Sequence, residues 1–210
     1  MNLKPSFFSS PEQDTHRIFY ENEEAVYQIS SQVFRLLPTL SLTPIVVLCI
    51  GTDRSTGDSL GPLIGTKIQQ HTVENLHVYG TLKDPVHAVN LEEKIALIKK
   101  EHRNPFIIAI DACLGRFKNV GSIQVASGPV KPGAGVNKVL PEVGDMHITG
   151  IVNVSGFMEF FVLQNTRLHL VMSMAEVISE SLLTVSQLIE TNKRLRKTDT
   201  FHPNTKLSNT

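Results

Sequence analysis

No charge of one sign dominates this 210-residue chain. Twenty Lys and Arg balance twenty Asp and Glu, so no global field draws the protein to nucleic acid or to an anionic membrane. Only the carboxyl-terminal tail offers a local basic patch. No apolar run reaches the ~18 to 20 residues that a spanning helix requires, and the start, MNLKPSFFSSPEQ, has no basic segment followed by an apolar one. The expectation is a cytoplasmic protein with neither membrane nor nucleic acid as a partner. Cysteine is scarce too. Cys49 and Cys113 are the two present, which points to free thiols in a reducing compartment, although neighbouring strands can bring them close. There is no internal repeat and no low-complexity block.

What is present suits one α/β domain. A 41% hydrophobic content over 210 residues supplies a real core for a single domain and is short for two. Residues 1–15 are polar, contain Pro5 and Pro11, and read as a loose leader, either plain terminal chain or a removable segment. Residues 16–195 read as the domain and 196–210 as a disordered tail. Ile18, Tyr20, Ala25, Val26, Ile29, Val33, Phe34 and Leu37 recur at helical spacing, so a helix is expected over residues 16–37. Strand, helix, strand, helix, strand then follow at residues 45–50, 62–71, 76–80, 91–102 and 106–110. That is the grammar of a three-layer α/β/α sandwich with a mostly parallel sheet. Gly65 permits close packing of its helix on a strand. Residues 120–126 alternate as a half-buried strand does. Residues 127–145, rich in Gly and Pro, are too long for a plain connector, and long ordered loops are often functional. Beyond them the pattern predicts a helix over 156–164, a strand over 168–172 and a helix over 175–194.

The chemistry gathers where two apolar strands stop in acidic residues. IVVLCIGTDRSTGDSLGP delivers Asp58 and FIIAIDACLG delivers Asp111; in parallel sheets the carboxyl ends of strands are where ligands sit. Two carboxylates facing one another cannot both ionise cheaply, so one holds a proton while the other stays charged. One then activates water as the other protonates a leaving group. The plainer alternative is that each aspartate caps a helix or holds a turn, and Asp58, just before SLGP, is well placed for that. The loop GTDRSTG lacks both GxGxxG and GxxxxGK[ST], which argues against a nucleotide. Arg54 and Ser55 remain candidates to engage a substrate. Thr149, Asn153 and Ser155 are polar residues in an apolar segment, suited to lining a cleft or to satisfying backbone groups. Cys113 with His147 is a weaker nucleophile-and-base candidate, against burial as small apolar groups.

CIGTDRSTGDSLGP resembles the glycine and aspartate signature shared by bacterial spore germination proteases and hydrogenase maturation proteases. AIDACLGR followed by SIQVASGPVKPGAGVNK is similar to the germination-protease pattern of a second aspartate, a strand and a PG-x-GV-x-NK loop. With ITGIVNVSGFMEFFVLQNTRL, the likeness extends over residues 44–190 and is strongest to the YyaC-type sporulation proteins. It implies a phosphorylase/hydrolase-like α/β/α fold, and Asp58 and Asp111 as a catalytic pair in a metal-independent spore endopeptidase that acts on a small protein or peptide. It also implies a forespore or spore-core location, and Asn137 and Lys138 bordering the cleft. No cofactor is expected on this reading. The maturation-protease branch implies an alternative, a nickel ion held by Asp58, Asp111 and His147, which sits before the late helix in a roughly comparable place, although MHITG does not reproduce that branch's histidine motif cleanly. A third possibility keeps the cleft for binding or regulation without turnover. Homo-oligomerisation through the first and last helices is open.

Overall fold

The computed structural model describes residues 17–39, 43–133 and 140–199. Asn137, Lys138 and the leader lie outside the described residues. Among those described, one sheet contains β1 (Arg17–Phe19), β2 (Ile45–Cys49), β3 (Leu76–Tyr79), β4 (Phe106–Gly115), β5 (Ser122–Ser127) and β6 (Met146–Val154), in the order β1-β5-β6-β4-β2-β3. The pairs β2–β3, β2–β4 and β4–β6 are parallel, whereas β5 runs antiparallel to both of its neighbours. The sheet is therefore mixed and mostly parallel. Every residue of β2 is buried, as expected of a strand covered on both faces.

Helices form the two outer layers. On one face lie α1 (Ala25–Leu36), α2 (Leu60–Gln69) and α5 (Leu168–Asp199), with α5 packed along both α1 and α2. Their apolar sides meet Val47, Ile108, Ile110 and Ile148 in the larger core. The other face carries α3 (Leu91–Glu101), whose Leu91 and Ile98 meet Val46, Leu48, Ile107 and Ala109. The short α4 (Glu159–Gln164) sits past the end of β6. Gly65 does what its position suggested: a Cβ there would stand 2.0 Å from the Gly80 carbonyl oxygen, so only glycine lets α2 lie this close to the sheet.

Three expectations give way. The helix over 16–37 begins only at Ala25, because Arg17–Phe19 pairs with β5 and buries Ile18 alone, a two-residue period. Asn22 Oδ1 accepts the Glu24 N–H at 2.9 Å and turns the chain into α1. The expected strand 168–172 is the first turn of α5: Val171, Met174, Ala175, Ile178, Leu182 and Val185 are buried at spacings of three and four, a helical period that a short apolar run conceals. The helix then continues through Asp199. Finally, α5 is long and apolar enough to cross a membrane by length and composition, contrary to the expectation from the sequence, and 44% of its most apolar window is buried inside the protein.

Candidate active site

Both aspartates reach one cavity, of about 330 Å³, at the carboxyl end of the sheet. The sheet itself creates it. β2 pairs with β4 as far as Cys49 and Ile110, after which β2 turns away while β4 continues to Gly115. Asp111 is the next residue on β4, so its flank opens where its neighbour has left. The connection after β2 runs to α2 on one face, and the connection before β4 arrives from α3 on the other. A crevice at such a divergence is where open α/β sheets bind ligands.

Asp58 comes from the short turn Gly57–Ser59 that leads into α2. Its backbone oxygen accepts the Thr52 N–H at 3.1 Å, closing the loop on itself. At Gly51 a Cβ would stand 2.0 Å from that same oxygen, so the loop can fold this tightly only around glycine. The cap position of α2 is Ser59, which makes no side-chain cap, and its hydroxyl bonds back to Thr56 O at 2.7 Å. Asp58 therefore does not serve as the helix cap that its sequence position allowed. Buried Ser55 favours the charged form of Asp58 as a polar neighbour, although its Oγ makes no hydrogen bond of good geometry.

Asp111 lies inside β4, opposite Thr149 of β6. Its Oδ1 accepts the Ala112 N–H at 2.9 Å. Burial, and then the charge of Asp58, push its carboxyl up to about 8, against the smaller pull of the Ala112 and Gly133 N–H groups. Burial also raises Asp58, with Ser55 opposing. Both carboxyls are raised, so the pair favours holding a proton between them, and Asp111 is the one pushed up to about 8. Such a cavity contains an acid and a base side by side.

The remaining candidates divide. Thr149 and Cys113 line the cavity; Ser55 is buried against Asp58. Burial, and then the Asp111 charge, push the Cys113 thiol up to about 11, so it is no thiolate nucleophile at neutral pH. Both cysteines are free. Arg54 and Ser155, the latter just past β6, are exposed; neither is part of the cavity wall. Asn153 turns instead to α4, donating to Val162 O and Thr166 Oγ1, each at 3.2 Å. The long loop after β5 does contribute, through Val130, Lys131, Pro132, Gly133 and Leu140.

His147 is not brought to the aspartates. It pairs with Ala109, two residues before Thr149 on its strand, its Nδ1 lies 2.9 Å from Gly128 O, and it is absent from the cavity wall. Among the described residues no group of three His, Cys, Asp or Glu is arranged to hold a metal ion. Among the described residues, Asp58, Asp111 and His147 thus do not form a nickel donor set.

Two wall residues escaped the reading of the sequence. His87 follows Val86, whose oxygen accepts the Gly51 N–H at 2.7 Å, so its loop is tied to the end of β2. The Val89 N–H donates to His87 Nδ1 at 3.3 Å. Glu159 enters from α4. The only sequence signal for either was a polar residue close after an apolar strand.

The family model described as a protein of unknown function (DUF1256) matches residues 17–181. The uncharacterized protein YyaC of Bacillus subtilis (strain 168) is 60% identical over 182 residues, covering 87% of this chain and 89% of its own. Among solved structures, the [NiFe] hydrogenase maturation protease HycI from Thermococcus kodakarensis KOD1 is similar at 18% identity and a TM-score of 0.47, over 69% of this chain and 93% of its own. A hydrogenase 3 maturation protease is similar at 16% identity and a TM-score of 0.43, over 67% and 90%.

Proposed function

For a chain that belongs to the DUF1256 family, we propose metal-independent hydrolysis of a peptide bond in a small protein or peptide, in spore-forming cells, with Asp58 and Asp111 as the catalytic pair. The observation that carries this reading is the shared cavity, where the charge of Asp58 helps to keep the carboxyl of Asp111 protonated. Ionised Asp58 takes a proton from water as the water oxygen bonds to the scissile carbonyl carbon. Protonated Asp111 gives its proton to the departing amine as the C–N bond breaks. The products are one carboxylic acid and one amine, and the proton returns to Asp111 from the protonated Asp58 or from solvent. Thr149 and the His87 ring supply polar groups on the cavity wall to orient the amide.

The resemblance of the two aspartate motifs to the germination proteases supports the same assignment. Arg54, Ser155 and Asn137 are the further candidates for substrate contacts, with Ser55 as the polar neighbour of Asp58.

The test is incubation of the purified protein with an extract of spore-forming cells, followed by mass spectrometry of new peptide termini. New termini are expected with the parent protein and are lost with both Asp58→Asn and Asp111→Asn. Undiminished cleavage by either folded variant overturns the mechanism. Saturable peptide binding with no cleavage under any condition favours a binding protein on the same cleft.

A further inference from the structure

Just beyond β6, the chain places large apolar side chains in water. Phe157 is 90% exposed, Met158 51%, Phe160 51% and Phe161 54%. Phe117, just past β4, is 85% exposed. The Ser155 N–H donates to Gly115 O at 2.8 Å, so the chain leaves β4 and β6 at neighbouring points. These aromatic groups therefore stand at the same end of the sheet as Asp58 and Asp111. Soluble proteins seldom leave so much apolar surface together unless something covers it.

The segment is built rather than frayed. Leu163 is buried against Gly57, where a Cβ would come within 2.7 Å of its Cδ2, and Asn153 ties the segment to β6. Met158 has φ 59°, a left-handed conformation that a methionine keeps only where its surroundings impose it. The Phe160 and Phe161 rings meet edge to face, with centroids 6.1 Å apart. On the same helix Glu159 and Leu163, four residues apart, are part of the cavity wall. One face of α4 thus walls the cavity while its neighbours present aromatic surface outside.

We propose that this aromatic lip binds the polypeptide that enters the cavity, gripping an apolar stretch near the residue held over the aspartates. The inference rests on the function proposed above. Its occupant follows from continuity: a chain threading into the cavity past α4 must cross the lip. A helix with its side chains is about 10 Å across, the reach of about three extended residues, so the apolar residues it selects lie about three positions from the reacting bond.

Binding is tested apart from turnover, in the Asp111→Asn background, with fluorescein-labelled β-casein as an unfolded, apolar-rich probe and anisotropy as the readout. Saturable binding is expected, and adding Phe157→Ser with Phe161→Ser weakens it at least tenfold. Both side chains are exposed, so the thermal midpoint stays within about 2 °C of the background protein, which separates lost contact from lost fold. An affinity unchanged within twofold, or no saturable binding to the Asp111→Asn protein, overturns the proposal. So does sedimentation showing a parent dimer that the double variant dissociates, because the lip is then a contact between two copies. With Asp111 restored, the double variant raises KM on β-casein and leaves kcat in place. Binding that depends on the lip without any cleavage removes the hydrolytic reading and leaves the lip standing.

Discussion

Replacing Asp111 with asparagine should stabilise the protein, and by an amount that depends on pH. In the folded chain the Asp111 carboxyl is held at about 8, against an ordinary value of 3.8. A carboxyl raised on folding binds its proton more tightly in the native state. Its favourable contribution is therefore complete below about pH 4, is lost as pH rises towards 8, and is flat beyond. At pH 7 the linkage loss reaches a ceiling of about 4 kcal/mol, at 1.36 kcal/mol for each pH unit. Because Asp111 opens on the cavity, water there screens the carboxylate, and about 1–3 kcal/mol is the expected share. Asparagine keeps the shape and never ionises. The difference in thermal midpoint between Asp111→Asn and the parent should thus be near zero at pH 4 and grow to its full value by pH 8, at roughly 2–4 °C per kcal/mol for a chain of this size. Calorimetry at pH 4, 5.5, 7 and 8.5 makes the comparison. A difference that stays constant across that range, or a variant less stable than the parent at pH 8, refutes the reasoning.

Gly65→Ala sets a methyl group against the Gly80 carbonyl oxygen, where the gap is 2.0 Å, and should cost about 1–3 kcal/mol, seen as a lowered denaturant midpoint. The Cys113 thiol, pushed up to about 11 by burial and by Asp111, should react slowly with iodoacetamide at pH 8; Asp111→Asn should speed that reaction, and an unchanged rate would remove the contact between the two groups. Cleavage should follow a bell in pH, with an alkaline limb near 8 from protonated Asp111 and an acid limb above the ordinary carboxylate value, since burial raises Asp58. The two limbs belong to the pair rather than to either residue.

The sheet's centre was legible because its strands are apolar runs that end abruptly, and Asp58 and Asp111 were legible as the polar residues at those ends. The edges were harder to read. Arg17–Phe19 is a strand only because β5 offers it a free edge, a fact of tertiary pairing that no local pattern carries. Leu168–Met172 could be told from a strand only by following the spacing on to Val185. His87 and Glu159 enter the cavity from elements whose direction depends on how the loop after β3 and the segment after β6 pack, so a polar residue following an apolar strand was their one mark in the sequence. His147 shows the converse: it follows the second aspartate at a plausible distance along the chain, yet the parallel register seats it beside Ala109 rather than beside the pair.

The account turns on one proton shared by two carboxyls. The most direct measurement is the carbon-13 NMR titration of aspartate side-chain carboxyls in the parent protein and in Asp58→Asn. Asp111 should remain protonated at pH 7 and titrate near 8 in the parent. In the variant its titration should move to lower pH while staying above 3.8, because burial, the larger cause, persists. An Asp111 that titrates near 3.8 in the parent, or one whose titration ignores the loss of the Asp58 charge, would contradict the account.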